Sequence, residues 1–374
     1  MLSDRASSAE PSATLAINAK VKEMAAKGIN VIDLGAGEPD FNTPEHIKEA
    51  AKAAIDKNFT RYTPVPGTNE LRDAVASRIG RIRQEVLISP GAKYSLYLAM
   101  QALLNPGDEI IVPSPYWVSY LEQAKLAGAV PVVTETEEFQ LDAEKLKECV
   151  TEKTKIILIN SPCKPTGAVF SKKAIEAVAD IADDKDIFII SDEIYEKFIY
   201  GVEHFSIDSL IPERTIVVNG VSKTYAMTGW RIGYASGPKE IIAAMSDIQS
   251  QTTSNPCSIA QAAALAALTG PQDSVQQMVK EFDRRRRYAM KRLSGLGMPY
   301  IEPKGAFYIF PDTSSLGTSM EVTKKLLDEA HIAVVPGAAF GSDEHIRISY
   351  ATSMNNLEKA FDRIEILHST SLYD

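Results

Sequence analysis

A lysine placed just past a buried strand becomes a nucleophile once its ammonium can shed a proton. The segment Ser222-Lys223-Thr224-Tyr225-Ala226-Met227-Thr228-Gly229-Trp230-Arg231 offers such a lysine. It follows an apolar run at 215–218, and open α/β sheets build their sites at the carboxyl ends of strands. Desolvation or a nearby cation lowers a lysine pKa. Arg231, eight residues on, is the candidate cation. Taken alone, a lysine after a strand is far more often a surface residue.

Other strand ends add chemistry. In Ser191-Asp192-Glu193-Ile194-Tyr195-Glu196, Asp192 closes the apolar run 187–190. A carboxylate there is costly unless it finds a partner. It either caps a helix or meets a cation, and a protonated pyridine nitrogen would serve. Tyr195 is close enough to line the same cleft. The loop Asn160-Ser161-Pro162-Cys163-Lys164-Pro165-Thr166-Gly167 is stiffened by its prolines. Ser89-Pro90-Gly91-Ala92-Lys93 opens a helix whose first N–H groups suit a phosphate. Trp117, after Pro113-Ser114-Pro115-Tyr116, either stacks on a flat cofactor or fills core. Amine, carboxylate, phosphate-ready helix and aromatic plate together describe a site for pyridoxal 5'-phosphate.

The elements that must position these groups alternate. Apolar runs at 109–112, 130–133, 155–159, 187–191, 215–218 and 232–235 read as strands buried on both faces. Helical periods are expected at 93–104, from Ser171 to about 186, from Asn255-Pro256 to Gly270, and at 273–293. That is an α/β fold with a mainly parallel sheet between two helical layers. Beyond about 290, short strands at 306–310, 331–335 and 345–350 with helices at 321–330 and 355–366 predict a smaller α+β unit. The expected division is an N-terminal segment 1–44 that joins the small unit and a dimer contact, a large domain 45–280 and a small domain 281–374. The run Arg284 to Arg287 spans one helical turn beside Glu281 and Asp283, and reads as a solvated or dimer-facing helix rather than a nucleic-acid stripe.

The chain has 374 residues and a formal charge of −9 at pH 7, which argues against a nucleic-acid partner. Its three cysteines, Cys149, Cys163 and Cys257, form no CxxC, and no HExxH occurs, so neither a disulfide framework nor a metal is expected. No apolar run is long enough for a membrane span and the N-terminus lacks a secretory h-region, so a cytoplasmic protein is expected. Gly35-Ala36-Gly37 is followed by Asp40 where a dinucleotide fingerprint needs glycine, and Ser222 stands where a P-loop needs glycine before Lys223.

The segments PSATLAINAK, DLGAGEPDF, YTPVPG, SPYWVSY, NSPCKPTGAV, SDEIYE, NGVSKTYAMTGWRIGYASGPKE, GAFYIF, VVPGAAFG and IRISYATS occur in this order from residue 11 to about 353. In them the chain resembles the fold-type I pyridoxal phosphate enzymes, and within these the class I aminotransferases of the bacterial and archaeal aspartate aminotransferase type. The resemblance implies amino transfer between an acidic amino acid, aspartate foremost, and 2-oxoglutarate by a ping-pong course. It leaves two other outcomes on the same scaffold: another substrate or reaction, such as aromatic or prephenate amino transfer or β-elimination, and a regulator without activity.

The resemblance also implies roles. Lys223 is the lysine that binds the cofactor aldehyde and then moves the substrate proton. Asp192 pairs with the ring nitrogen, Tyr195 donates to the phenolic oxygen, and Trp117 covers the ring. Arg231, Ser222 and the Gly91-Ala92-Lys93 backbone hold the phosphate, with Tyr62 reaching in from a second subunit of a homodimer. Arg347 forks the substrate α-carboxylate, beside Gly37 and Trp117. Lys93, with Ser12 and Thr14, holds the distal carboxylate, unless Lys93 is only a first-turn helix residue. One position departs from the family pattern: Lys164 precedes Pro-Thr-Gly where asparagine is usual. A cation there is expected to favour the deprotonated cofactor–lysine imine, to press on Arg347, and so to weaken or retune catalysis.

Overall fold

The computed structural model describes the backbone of residues 2–3, 6–7 and 13–371, and their side chains except those of 13–16, 18 and 369–371. In chain order the strands are β1 (Ile32–Asp33), β2 (Val86–Ser89), β3 (Glu109–Ser114), β4 (Val130–Glu137), β5 (Gln140–Leu141), β6 (Thr154–Asn160), β7 (Phe188–Asp192), β8 (Thr215–Gly220), β9 (Gly233–Ser236), β10 (Tyr308–Ile309), β11 (Ile332–Ala333), β12 (Val335–Pro336) and β13 (Ile346–Ser349).

Successive side chains of a strand point to opposite faces. Ile156 and Leu158 of β6 accordingly enter one hydrophobic cluster, and Ile157 and Ile159 enter another. Both faces are therefore covered, which is why the strand reads as an unbroken apolar run. The main sheet has the order β2-β9-β8-β7-β6-β3-β4-β5. Pairs β4–β3, β3–β6, β6–β7 and β7–β8 are parallel. β9 runs antiparallel to both β8 and β2. The chain reaches β9 from β8 through a short loop and a 3₁₀ turn at Thr228–Trp230, with no crossover helix, so the strand must return reversed. β2 had no counterpart in the sequence reading.

The expected helices occur at Ala92–Leu103, Lys172–Asp184, Ser258–Thr269 and Asp273–Gly295. Ser171 caps the second of them, its hydroxyl accepting from the Ala174 N–H at 3.2 Å. Helices at Glu45–Asp56, Asn69–Ile79, Ser119–Leu126 and Lys239–Thr252 were not expected. Their buried faces are thin: Ile47, Ala51 and Ala54 in the first, Ile242, Met245 and Gln249 in the last.

The C-terminal strands β10-β13-β12 form a second sheet, and β1 pairs in parallel with β11. Ile32 and Leu34 share a cluster with Phe282, Phe307, Ile332 and Phe361. The N-terminal segment thus packs on the C-terminal unit, and the Ser349 N–H donates to the Leu34 carbonyl at 2.7 Å. The arginine run of the helix Asp273–Gly295 faces several directions, as its span of one turn implies, though two of its members are buried rather than solvated. Arg285 and Arg286 are buried, bonded to Asp40 and Glu281 and to Asp283 and Glu302 respectively, while the Arg284 and Arg287 side chains are exposed. At about 100° per residue a helical turn cannot keep four neighbours on one face. Among the described residues no helix is long and apolar enough to cross a membrane.

Candidate active site

A cavity of about 260 Å³ opens at the carboxyl edge of the main sheet. Its walls carry Lys93, Trp117, Asp192, Tyr195, Ser222, Lys223 and Arg231, joined by Tyr120, Asn160 and Lys164. Parallel strands end on the same edge. Asn160 and Asp192 are register partners closing β6 and β7, and Lys223 follows β8 by three residues.

The Lys223 ammonium donates to the Gly37 carbonyl at 2.5 Å. Burial brings its pKa down to about 8. Glu38 opposes the shift, while Arg347 and then Arg231 assist it. Arg231 is therefore a cation for Lys223, as expected, but desolvation and Arg347 come before it.

Asp192 is buried, and its Oδ2 accepts from the Tyr120 hydroxyl at 2.7 Å while Oδ1 accepts from the Ile194 N–H at 3.2 Å. Burial nevertheless pushes the carboxyl up to about 6. No cation bonds it among the described residues. The Asn160 amide donates to the Asp192 carbonyl at 2.9 Å, and its oxygen accepts from the Lys164 N–H at 2.8 Å. Tyr195 and Tyr308 share a hydroxyl–hydroxyl bond of 2.9 Å. Burial raises both phenols, so both remain protonated donors.

A cradle for an anion lies beside these groups. The helix Ala92–Leu103 begins at Gly91 with no side-chain cap, so its first N–H groups lack an acceptor from that residue. Gly91 has φ +94°, and a Cβ there would lie 2.8 Å from the Arg231 Cζ. Only glycine lets the guanidinium close over this turn. Arg231 is fixed by the Thr228 carbonyl at 3.0 Å and the Pro90 carbonyl at 3.3 Å. On the other side, Gly233 lets β9 approach the Ala92 nitrogen.

Arg347, from β13, is fully buried. Its Nη2 donates to the Gly35 carbonyl at 2.5 Å, and the guanidinium lies 4.7 Å from the Tyr308 ring centroid and 5.2 Å from that of Phe340. Its Nε and Nη1 are buried without a partner. Unmet donors on a planar, fully charged guanidinium suit a carboxylate. Lys93 holds its ammonium 4.7 Å from the Trp117 centroid, and burial, then Arg231, lowers its pKa. Lys164 lies over the same ring at 5.2 Å and over Tyr308 at 5.9 Å. Burial, then Arg347, Lys223 and Lys93, drives its pKa well below the usual lysine range.

Not every expected residue converges. The Tyr62 side chain is 91% exposed and lines no part of the cavity of its own chain. Ser12 lies outside the described residues, and Thr14 is described only as backbone in the helix Ala13–Ala26. The sequence reading assigned no role to Tyr120, Asn160 or Tyr308. Tyr120 stands three residues past Trp117, whose ring it meets edge-on at 5.4 Å, but the helix that carries it was not expected. Tyr308 carried no signal, because its partner Tyr195 is 113 residues away. The donor set fits the expected cofactor: an uncapped helix start with Arg231 for a phosphate, Asp192 for a cationic ring nitrogen, and a depressed amine at Lys223.

The sequence profile of aminotransferases of class I and II matches residues 29–364. An aspartate aminotransferase of Bacillus sp. (strain YM-2) is 48% identical over 98% of both chains. An aspartate/prephenate aminotransferase of Thermus thermophilus is 46% identical over 97% of both. The structure of the Thermus thermophilus aspartate aminotransferase with maleate superposes with a TM-score of 0.96 at 45% identity, over 97% of this chain and 98% of that one.

Proposed function

Since this chain belongs to the class I and II aminotransferases, we propose that it exchanges the α-amino group of aspartate with 2-oxoglutarate in two half-reactions, with pyridoxal 5'-phosphate as its cofactor. The observation that carries this is the half-satisfied Arg347 fork beside a cavity holding Lys223 and Asp192. When bound, the cofactor supplies an electron sink for the pair left behind as the α-hydrogen departs.

Asp192 would hold the ring nitrogen protonated, and the unpaired buried carboxylate gains the cation it lacks. The Gly91-Ala92-Lys93 backbone, Ser222 and Arg231 would hold the phosphate, with Tyr62 contributed by a second subunit. Tyr195, kept protonated by burial, would donate to the phenolic oxygen, and Trp117 would cover the ring. The Lys223 amine would hold the aldehyde. Once free, it takes the α-proton on Nζ, and a pKa near 8 leaves far more neutral amine at pH 7 than an ordinary lysine has.

Arg347 binds the α-carboxylate through donors left free on its guanidinium, and Gly37 lies beside it. Lys93, with Ser12 and Thr14, takes the distal carboxylate. The Thermus structure with maleate, a dicarboxylate, supports an acidic substrate. The name of the Thermus relative makes prephenate a second acidic acceptor. The chain would divide into a segment 1–44, a large domain 45–280 and a small domain 281–374, and would work as a cytoplasmic homodimer. The test is the absorption change of the cofactor-loaded protein with a panel of single amino acids. Aspartate and glutamate bleach the imine band without a second substrate if the proposal holds. A band that persists with both, or release of pyruvate and ammonia, overturns it.

A further inference from the structure

Lys223 is not the only amine in the cavity. Lys164 enters from the loop after β6, and its Nζ lies 3.5 Å from where a Cβ on Gly37 would stand. Lys223 donates to the carbonyl of that same Gly37. Two lysine side chains therefore flank one residue at one wall of the site. They differ in how they are held. Lys223 has its carbonyl acceptor, whereas the Lys164 ammonium has no hydrogen-bond acceptor among the described residues and touches the faces of Trp117 and Tyr308.

A lysine becomes nucleophilic when desolvated or set beside other cations. Lys164 meets both conditions, with Arg347, Lys223 and Lys93 as the neighbouring charges. Among the described residues the only buried carboxylate lining this cavity is Asp192, already bonded by Tyr120 and the Ile194 N–H. Such an excess of positive charge favours release of a proton from the least solvated amine.

We propose that Lys164 is a second aldehyde-reactive amine of this site, able to hold the cofactor aldehyde as an imine when Lys223 is absent or displaced. The inference rests on the cofactor reading above. In the step, the neutral Lys164 Nζ adds to the aldehyde carbon, the carbonyl oxygen leaves as water with both amine protons, and a C=N bond remains. No oxidant, reductant or further reactant is involved. The same position filled by asparagine could not do this, because an amide nitrogen carries no basic lone pair.

The test uses the full chain as wild type, Lys223→Ala and Lys223→Ala/Lys164→Asn. Each is loaded with one equivalent of pyridoxal 5'-phosphate, reduced with borohydride, digested, and mapped by mass. The wild type should carry the label on Lys223. In Lys223→Ala the label should move to Lys164 and the imine absorption should persist, and the double variant should lose both. A Lys223→Ala protein that binds the cofactor but yields no Lys164 adduct, or labels Lys93 equally, overturns the inference. If Lys223→Ala does not fold, Lys223→Arg, which keeps the buried charge, is read in the same way. An unlabelled Lys223 in the wild type would instead defeat the cofactor reading, so the two failures are distinct.

Discussion

Replacing Arg347 with methionine separates a binding arginine from a structural one. In the unliganded protein two of its donors, Nε and Nη1, are buried and unmet. Each such group costs about 1–3 kcal/mol, so removing them returns about 2–6 kcal/mol. Against this stand the bond to the Gly35 carbonyl, about 1.5–3 kcal/mol for a charged donor, and the stacking on Tyr308 and Phe340, about 1–2 kcal/mol. The two sides nearly cancel, and Arg347→Met should change stability by no more than about 2 kcal/mol. At about 2 °C per kcal/mol for a large chain, that is a Tm shift within about 4 °C. An arginine whose charge was already paired would cost about 3–5 kcal/mol on removal. Activity should behave differently. Two charge-assisted bonds to the α-carboxylate are worth about 3–6 kcal/mol together, so kcat/KM for aspartate should fall about 10²- to 10⁴-fold. Differential scanning calorimetry and steady-state kinetics on one preparation read both numbers. A Tm drop near 10 °C, or a kcat/KM loss below about tenfold, would refute the reasoning.

Asp192 should destabilise the unliganded chain at neutral pH. Its folded pKa near 6 lies above the ordinary 3.8, so its contribution is most favourable below the ordinary value and is lost as pH rises through 6. Asp192→Asn should remove that loss, making the cofactor-free variant more stable than wild type by up to about 3 kcal/mol at pH 7 and by much less at pH 4; equal differences at both pH values would contradict this. Lys93→Gln should cut kcat/KM for aspartate about 10- to 100-fold while leaving alanine nearly untouched, because one charged contact to the distal carboxylate is worth about 1.5–3 kcal/mol; a parallel fall for both amino acids would place Lys93 elsewhere. Tyr62→Ala and Lys223→Ala subunits, each nearly inactive, should regain activity on mixing and reassociation, since one mixed-dimer site then has both native residues. No gain over the separate activities would argue against a shared site.

Much of the site was legible because its residues come in short runs tied to strand ends. Lys223, Asp192 and Trp117 each follow a short apolar run that reads as a strand covered on both faces, and a parallel sheet gathers such ends on one edge. Gly91 and the uncapped helix start were readable from local turn chemistry. Pairings between distant segments were not. Nothing in the sequence links Tyr120 to Asp192 or Tyr195 to Tyr308, since periodicity speaks only for neighbours within a turn or two.

The chain by itself determined most strands of the main sheet and which side chains crown them, for that follows from hydrophobic period and breaker residues acting over a few positions. Tertiary packing alone decided the charges. It buried Arg347 with half its donors unmet, set Lys164 against Lys223, and drew Arg285 and Arg286 into the interior. Desolvation depends on everything that surrounds a group, and most of what surrounds these groups is remote in sequence.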